Sequence, residues 1–362
     1  MKRTVLIMAG GTGGHIFPAL AAARVLREHG FEPVWLGTAR GMEAKLVPPQ
    51  QIEIEWITVS GLRGKGFGTW LVAPFRIALA TWQSLKVIWR RRPCVVLGAG
   101  GFVSGPGGVA AWLMRRPLVI HEQNAVAGMT NRLLSRIARR VLEAFPSSFP
   151  PRARAEHVGN PVRREITAIA PPEQRFAQRS GPLRVLVFGG SQGAARLNAV
   201  VPAAFAMIDP ARRPEIVHQA GERHVETARE MYAKHGVRAD VRAFIDDMAE
   251  VYAWADLVIC RSGALTVSEI AAAGLGAVFI PFPAAVDDHQ TRNAQFLVAA
   301  EAAVLIPEAD LTPLRLYEIL RDLFAEGRDK LAAMASRARA LAVMDADVRL
   351  ANACIEAAGG AR

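Results

Sequence analysis

The sequence predicts an α/β protein built from two doubly wound, parallel-sheet halves, and three observations carry that expectation. Short apolar runs of strand length alternate with helical runs along the chain, the pattern of parallel sheets covered on both faces. A strand–glycine turn–helix unit opens the chain, and the same unit opens again near residue 183. The length, 362 residues, suits two cores.

Taken in order, Thr4–Met8 is apolar, partly β-branched and stopped by glycine, a short buried strand. Four glycines follow within Gly10-Gly-Thr-Gly-Gly-His15. The next helix is expected over Pro18–Glu28, with proline in its first turn and Gly30 ending it. Glycine lets backbone N–H groups approach a ligand, and a helix N-terminus adds partial positive charge. The turn therefore reads as a phosphate or sugar site, with a plain tight turn as the alternative. It is not a dinucleotide fingerprint, because Ile16 stands where the third glycine belongs. The strand Pro33–Leu36 also runs into Gly37-Thr38 with no acid for a ribose. The pattern G-x-x-x-x-G-K-[ST] is missing too. His15, at the end of the turn, is a candidate proton acceptor, or else a structural histidine.

Further strands are expected at Val95–Leu97 and Leu118–Ile120. A third glycine cluster, Gly98–Gly108, leads into a helix at Val109–Met114. Prolines 146, 150, 151, 161, 171 and 172 punctuate a stretch that reads as a linker. The plan then restarts with strand Leu183–Phe188, turn Gly189-Gly-Ser-Gln-Gly193 and a helix opening at Ala194. Two such halves facing across a cleft, with ligands at the carboxyl ends of their strands, suggest an enzyme with two substrates.

Cys94, Cys260 and Cys354 form no close pair, so neither a disulfide framework nor a zinc site is expected, in keeping with a reducing compartment. The first residues enter a strand directly, and no signal peptide is expected. The formal net charge is +11, yet residues 1–162 carry about 21 Lys and Arg against about 8 Glu and no Asp, roughly +13. The whole excess lies in the first half, which points to an anionic partner there. Within Gly61–Arg92, Trp70, Leu71, Val72 and Phe75 are flanked by Arg63, Lys65 and Arg76. No run reaches the ~20 apolar residues that span a bilayer. The stretch either lies on a membrane surface or is a buried helix with a basic wet face. No nucleic-acid reading module is present.

Taken together, Met8–His15, Gly98–Gly108, His121-Glu-Gln-Asn124, Gly159-Asn-Pro-Val-Arg163, Gly189–Gly193 and Cys260–Glu269 resemble, in order and over nearly the whole chain, the bacterial peptidoglycan N-acetylglucosaminyltransferases. The resemblance implies the GT-B fold, two Rossmann-like domains about a cleft, here residues 1–160 and 161–339, with a last helix near 340–360 returning to the first. It implies transfer of N-acetylglucosamine from UDP-N-acetylglucosamine to the undecaprenyl-linked muramyl acceptor, lipid I, giving lipid II. It carries over Ser191, Ile245, Ala264, Leu265, Thr266, Val267, Ser268, Glu269, Gln290 and Arg163 as donor contacts. Ile245 would meet uracil, Glu269 the ribose, Arg163 and Thr266 the diphosphate, and Gln290 the sugar. From the residues alone, Glu269 reads first as a first-turn cap carboxylate, and Asp287 and Asp288 as caps of the helix after them. Thr12, Gly13, Gly14 and Asn124 would sit near the donor sugar. Gly100, Gly101, Ser104 and Gly105 would meet the acceptor pyrophosphate.

The implied chemistry is a single inverting displacement, with His15 as base and Glu122 as the alternative. Fixed N–H groups would stabilise the departing UDP, so no cofactor or essential divalent cation is expected. Asp345-Ala-Asp347 reads as a solvated helix face, not a metal motif. The expected setting is peripheral, on anionic lipids at the cytoplasmic face of the inner membrane, alongside proteins of cell-wall synthesis and division. A nucleotide-sugar epimerase of the same architecture and a non-catalytic membrane-bound sugar-nucleotide binder are the competing readings.

Overall fold

The computed structural model describes residues 3–59, 67–190, 193–285 and 288–359, with backbone alone for 67–72. Ser191, Asp287, Arg63 and Lys65, and the side chains of Trp70, Leu71 and Val72, lie outside the described residues. The chain divides into two compact units, Met1–Val162 with Val343–Arg362, and Arg163–Ala342.

The first unit holds β1 (Arg3–Met8), β2 (Phe31–Gly37), β3 (Glu53–Trp56), β4 (Val95–Gly98), β5 (Leu118–Glu122), β6 (Arg140–Glu143) and β7 (Glu156–His157). They form one sheet in the order β3-β2-β1-β4-β5-β6-β7, every pair parallel. Successive side chains of β1 feed opposite faces, as the two-residue period requires. Val5 and Ile7 enter a core with the helix Gly13–Glu28, and Leu6 and Met8 enter one with the helices Phe67–Arg91 and Ser104–Leu113. The strand order reverses between β1 and β4. Met8 pairs with Gly98 there, so the turns that follow both strands start level.

Three local expectations change. The first helix begins at Gly13, inside the glycine run, so Pro18 is an interior residue and not a first-turn one. The supposed linker is partly core: β7 joins the sheet and Val158 is buried, because Glu143 O accepts the Val158 N–H at 2.9 Å. Asp347 is not on a solvated face. It is nearly buried at the start of the helix Ala346–Gly359 and pairs with Arg24 at 3.3 Å. That helix packs Leu350, Ala351, Cys354 and Ala357 into the core shared with the helix Gly13–Glu28.

The second unit repeats the plan with β8 (Arg184–Phe188), β9 (Glu215–Gln219), β10 (Asp240–Arg242), β11 (Leu257–Cys260), β12 (Gly276–Phe279) and β13 (Ala303–Leu305). The order is β10-β9-β8-β11-β12-β13, again all parallel. Its reversal lies between β8 and β11, where Phe188 pairs with Cys260. In each unit the glycine turn follows a strand at the reversal. That is where an open parallel sheet leaves a crevice for ligand.

Candidate active site

In the first unit, the chain leaves β1 and enters a helix whose N-cap is Thr12 in extended conformation. Thr12 does not cap with its hydroxyl. Its Oγ1 lies 3.2 Å from His15 Nδ1 instead. Half-buried His15 rests against the other glycine turn: a Cβ on Gly100 would fall 2.6 Å from its Cδ2 and 3.0 Å from its Nε2. Gly101, at φ +82°, brings the two turns into backbone contact, since a Cβ there would lie 2.2 Å from Gly10 O. Only glycine tolerates both that conformation and that approach. Gly10 to His15 and Gly100–Gly101 are therefore one packed assembly.

Ser104 was expected at the acceptor pyrophosphate, and its burial contradicts that. Its Oγ accepts the Gly100 N–H at 3.1 Å and directs its proton to the carbonyls of Gly100 (2.8 Å) and Met8 (3.0 Å). A hydroxyl with three backbone partners under the turn is already engaged in shaping Gly100. Gly101 and Gly105 are half-exposed, and Gly100 is buried beneath His15.

Glu122 is also recast. Its Oε1 accepts from Asn124 N–H (3.1 Å) and Asn124 Nδ2 (3.2 Å), and its Oε2 from Gly128 N–H (3.1 Å) and Asn131 Nδ2 (2.9 Å). A buried carboxylate holding four donors orders the Asn124–Gly128 loop. It would have to break those bonds to accept a proton. Beside it, His121 is fully buried and held neutral, its pKa lowered to about 4 by burial, with Nε2 on Gly159 O at 3.0 Å.

Sequence reasoning missed Glu43. It is buried, accepting from Thr38 N–H (2.9 Å), Thr38 Oγ1 (2.8 Å) and Gly11 N–H (3.3 Å). Gly10, Gly37 and Gly41 line its burrow, each leaving no room for a Cβ beside it. A carboxylate already holds the Gly11 N–H, so that amide is not the anion contact the glycine run suggested. No spacing rule would have singled out Glu43 among the acids of the first half.

In the second unit, Gly190 and Gly193 take left-handed φ of +88° and +72°. A Cβ on Gly193 would lie 1.9 Å from Ala220 O. After β11, Gly263 caps the helix Ala264–Ala273. The side chains of Ala264 and Val267 are buried, and Val267 N–H donates to Gly263 O at 2.9 Å, the first bond within the helix. The first-turn amides of Ala264, Leu265 and Thr266 are those that an α-helix leaves for an anion. Half-buried Ser268 donates to Ala264 O at 3.0 Å. Ser262, also missed, is buried just before the cap, and its Oγ has no partner among the described residues.

Glu269 lies in the second turn of that helix, too far along it to cap. Its Oε1 accepts from Arg163 Nη2 at 3.1 Å and Nε at 3.3 Å, and its Oε2 from Tyr252 Oη at 3.3 Å. Burial raises its pKa despite the opposing pull of Arg163. Tyr252 is buried and carried no sequence signal beyond an apolar run. Gln290 Oε1 accepts from Ser262 N–H (3.3 Å) and Phe282 N–H (3.0 Å), so its amide nitrogen is the end left for a ligand. Buried Ile245 gives its N–H to Gln219 Oε1 at 2.8 Å. Asp288 is the N-cap residue of the helix His289–Val298, but its carboxylate accepts from Thr291 Oγ1 at 2.7 Å and makes no cap bond to a backbone N–H. Among the described residues, no group of three or more His, Cys, Asp or Glu could hold a metal ion.

Comparison with known proteins adds to this geometry. Residues 5–143 match the glycosyltransferase family 28 N-terminal domain and residues 184–350 the glycosyltransferase family 28 C-terminal domain. The sequence is 55% identical over 359 residues to the UDP-N-acetylglucosamine--N-acetylmuramyl-(pentapeptide) pyrophosphoryl-undecaprenol N-acetylglucosamine transferase of Marinobacter nauticus, covering 99% of each chain. It is 54% identical to the protein of the same name from Nitrosococcus oceani, over 99% of this chain and 100% of that one. The fold superposes on the crystal structure of Acinetobacter baumannii MurG with a TM-score of 0.87 at 40% identity, over 98% of this chain and 99% of that one.

Proposed function

This chain belongs to glycosyltransferase family 28, and from that premise we propose how its residues divide the work of the reaction. The chain is a UDP-N-acetylglucosamine-dependent hexosyltransferase. It moves N-acetylglucosamine onto the muramyl unit of lipid I to form lipid II in peptidoglycan synthesis. The observation that carries this is identity above half over essentially the full length of relatives named for that transfer.

The donor belongs to the second unit. Ala264, Leu265 and Thr266 offer amides to the diphosphate, and Ser191 joins them. Ile245 seats the base, Glu269 and Arg163 meet the ribose and phosphate, and the Gln290 amide nitrogen meets the sugar. The acceptor belongs to the first unit, at the assembly of Thr12, Gly13, Gly14, His15 and Gly101, with Asn124 and Gly105 beside it. The muramyl 4-hydroxyl attacks the anomeric carbon from the face opposite UDP, so the α-linked donor yields a β-linked product. His15 accepts the hydroxyl proton, in the tautomer whose Nδ1–H donates to Thr12 Oγ1 and whose Nε2 carries the lone pair. Amide dipoles and Arg163 stabilise the charge that grows on the leaving β-phosphate, without a required metal.

A transfer assay with labelled UDP-N-acetylglucosamine and a soluble lipid I analogue tests this. The expected result is a disaccharide product, with rates within about twofold when EDTA is added. An isomerised sugar nucleotide would instead indicate an epimerase, and binding without turnover a sugar-nucleotide binder.

No helix among the described residues is long and apolar enough to cross a membrane. The first unit does expose large apolar side chains. Phe75 (77% exposed), Ile77, Trp82 and Trp89 lie on the helix Phe67–Arg91, and Trp112 and Leu113 on the helix Ser104–Leu113. Exposed Arg76, Arg115, Arg132 and Arg136 belong to the same unit, and Lys86 Nζ sits 3.6 Å over the Trp82 ring. Exposed aromatic and aliphatic side chains together with exposed cations on one unit suit the surface of an anionic bilayer. The reading is a peripheral enzyme on the cytoplasmic face of the inner membrane, where partners in wall synthesis and division would meet it. Replacing Phe75, Trp82 and Trp112 together by serine is expected to weaken binding to anionic liposomes by about tenfold or more. Turnover of a soluble acceptor should stay unchanged. Full retention on liposomes would contradict the assignment.

A further inference from the structure

β9 ends on Gln219, which is level with Phe188, the last residue of β8, and with Arg242, the last residue of β10. A side chain at that register can reach both the turn after β8 and the chain after β10. Gln219 is buried and does both. Its Nε2 donates to Gly190 O at 3.0 Å, and its Oε1 accepts the Ile245 N–H at 2.8 Å. Gly190 is a left-handed residue of the phosphate turn, and its carbonyl also receives the Gly193 N–H at 3.0 Å. Ile245 is the base seat. One neutral amide thus joins the two ends of the donor site. Only glutamine at this length offers a donor and an acceptor together.

The residue before it serves the same turn from the opposite face of the strand. His218 is buried, with Nδ1 2.9 Å from Tyr232 Oη and Nε2 3.1 Å from Asn198 Oδ1. Asn198 Nδ2 donates to Ala220 O at 3.0 Å, the same carbonyl against which Gly193 packs. Two successive side chains of one strand end therefore brace the glycine turn. Gln219 is the one that also grips Ile245.

We propose that Gln219 is a positioning residue for donor binding, holding the phosphate turn and the base seat in register, an inference that rests on the donor assignment above. It touches no reacting atom. Removing it would leave the catalytic groups intact and blur the spacing that a nucleoside diphosphate must span.

The test uses the full chain and two variants with distinct losses. Gln219→Met keeps the length and removes both bonds. Gln219→Glu keeps the acceptor for Ile245 N–H and removes the donor to Gly190 O. Kd for UDP and for uridine is measured well below each variant's melting temperature, with donor KM and kcat alongside. For Gln219→Met, Kd for both ligands and donor KM should rise by about tenfold or more, with kcat at saturating donor within about threefold. For Gln219→Glu, uridine binding should return to within about twofold of wild type while UDP binding stays weak. A merely structural role would lower the melting temperature without that split. Equal losses of uridine and UDP in Gln219→Glu, or unchanged UDP affinity in Gln219→Met, would overturn the proposal. Wild-type protein that binds no UDP would overturn the donor assignment, and the proposal with it.

Discussion

Replacing His15 with alanine is expected to lower kcat by about 10²–10⁴-fold, the usual contribution of a positioned general base, with donor KM changed by less than about threefold. The geometry supplies the reason. His15 is half-buried at the helix start that follows the first glycine turn. Thr12 Oγ1 engages one ring nitrogen at 3.2 Å, which orients the ring. The other edge lies over Gly100, in space that a Cβ would fill. The competing base, Glu122, is tied to four donors that order its loop. Glu122→Gln should therefore cost melting temperature as well as rate, because a carboxamide cannot accept at both ends. Thr12→Val should lower kcat by about tenfold through loss of ring orientation, leaving donor binding intact. Steady-state kinetics with a soluble acceptor separates these outcomes. An unchanged kcat in His15→Ala would remove it as base.

Glu269→Gln carries the second large effect, a rise in donor KM of about tenfold or more from loss of charge-assisted bonds. Stability should move the other way. Burial raises the Glu269 carboxyl above its ordinary value, so the folded chain binds that proton more tightly than the unfolded chain. Ionised Glu269 therefore costs the fold stability at neutral pH, and the cost vanishes as pH falls below the ordinary carboxyl range. The glutamine variant should melt at the same temperature as wild type at pH 7, or higher. Arg163 bears the loss easily because its side chain is 46% exposed and stays solvated. The pH profile checks the sign. Donor KM of wild type should rise as pH drops toward the raised pKa, while that of Glu269→Gln stays flat. A helix cap would give the opposite pattern, a lower melting temperature with donor KM intact.

These two residues also show what a sequence conveys. His15 and the glycines were visible because their signal is local: a strand, a turn and a helix in one short run. The parallel sheets, the repeated unit and the place of the ligand turns follow from the same local patterns. Glu269 was visible only through family resemblance, since its partner Arg163 lies 106 residues away in the chain and Tyr252 sits on a different helix. Ser104 misled because a serine in a glycine-rich loop reads alike whether its hydroxyl faces a ligand or lies beneath the turn. Glu43 and Gln219 were invisible for a related reason. Their roles come from strand register, which brings Thr38 and Gly11 around one carboxylate and Gly190 and Ile245 around one amide. The start of the first helix moved because glycine N–H groups can open a helix that propensity alone would place at Pro18.

The central claim is that the second unit holds the nucleotide at its strand reversal. Amide hydrogen exchange with and without saturating UDP tests it most directly. The account predicts slowed exchange in peptides covering Gly189–Gly193, Phe244–Ile245 and Ala264–Glu269, with Gly10–His15 unaffected. Protection confined to Gly10–His15 and Gly98–Gly105, with the second unit unchanged, would contradict it.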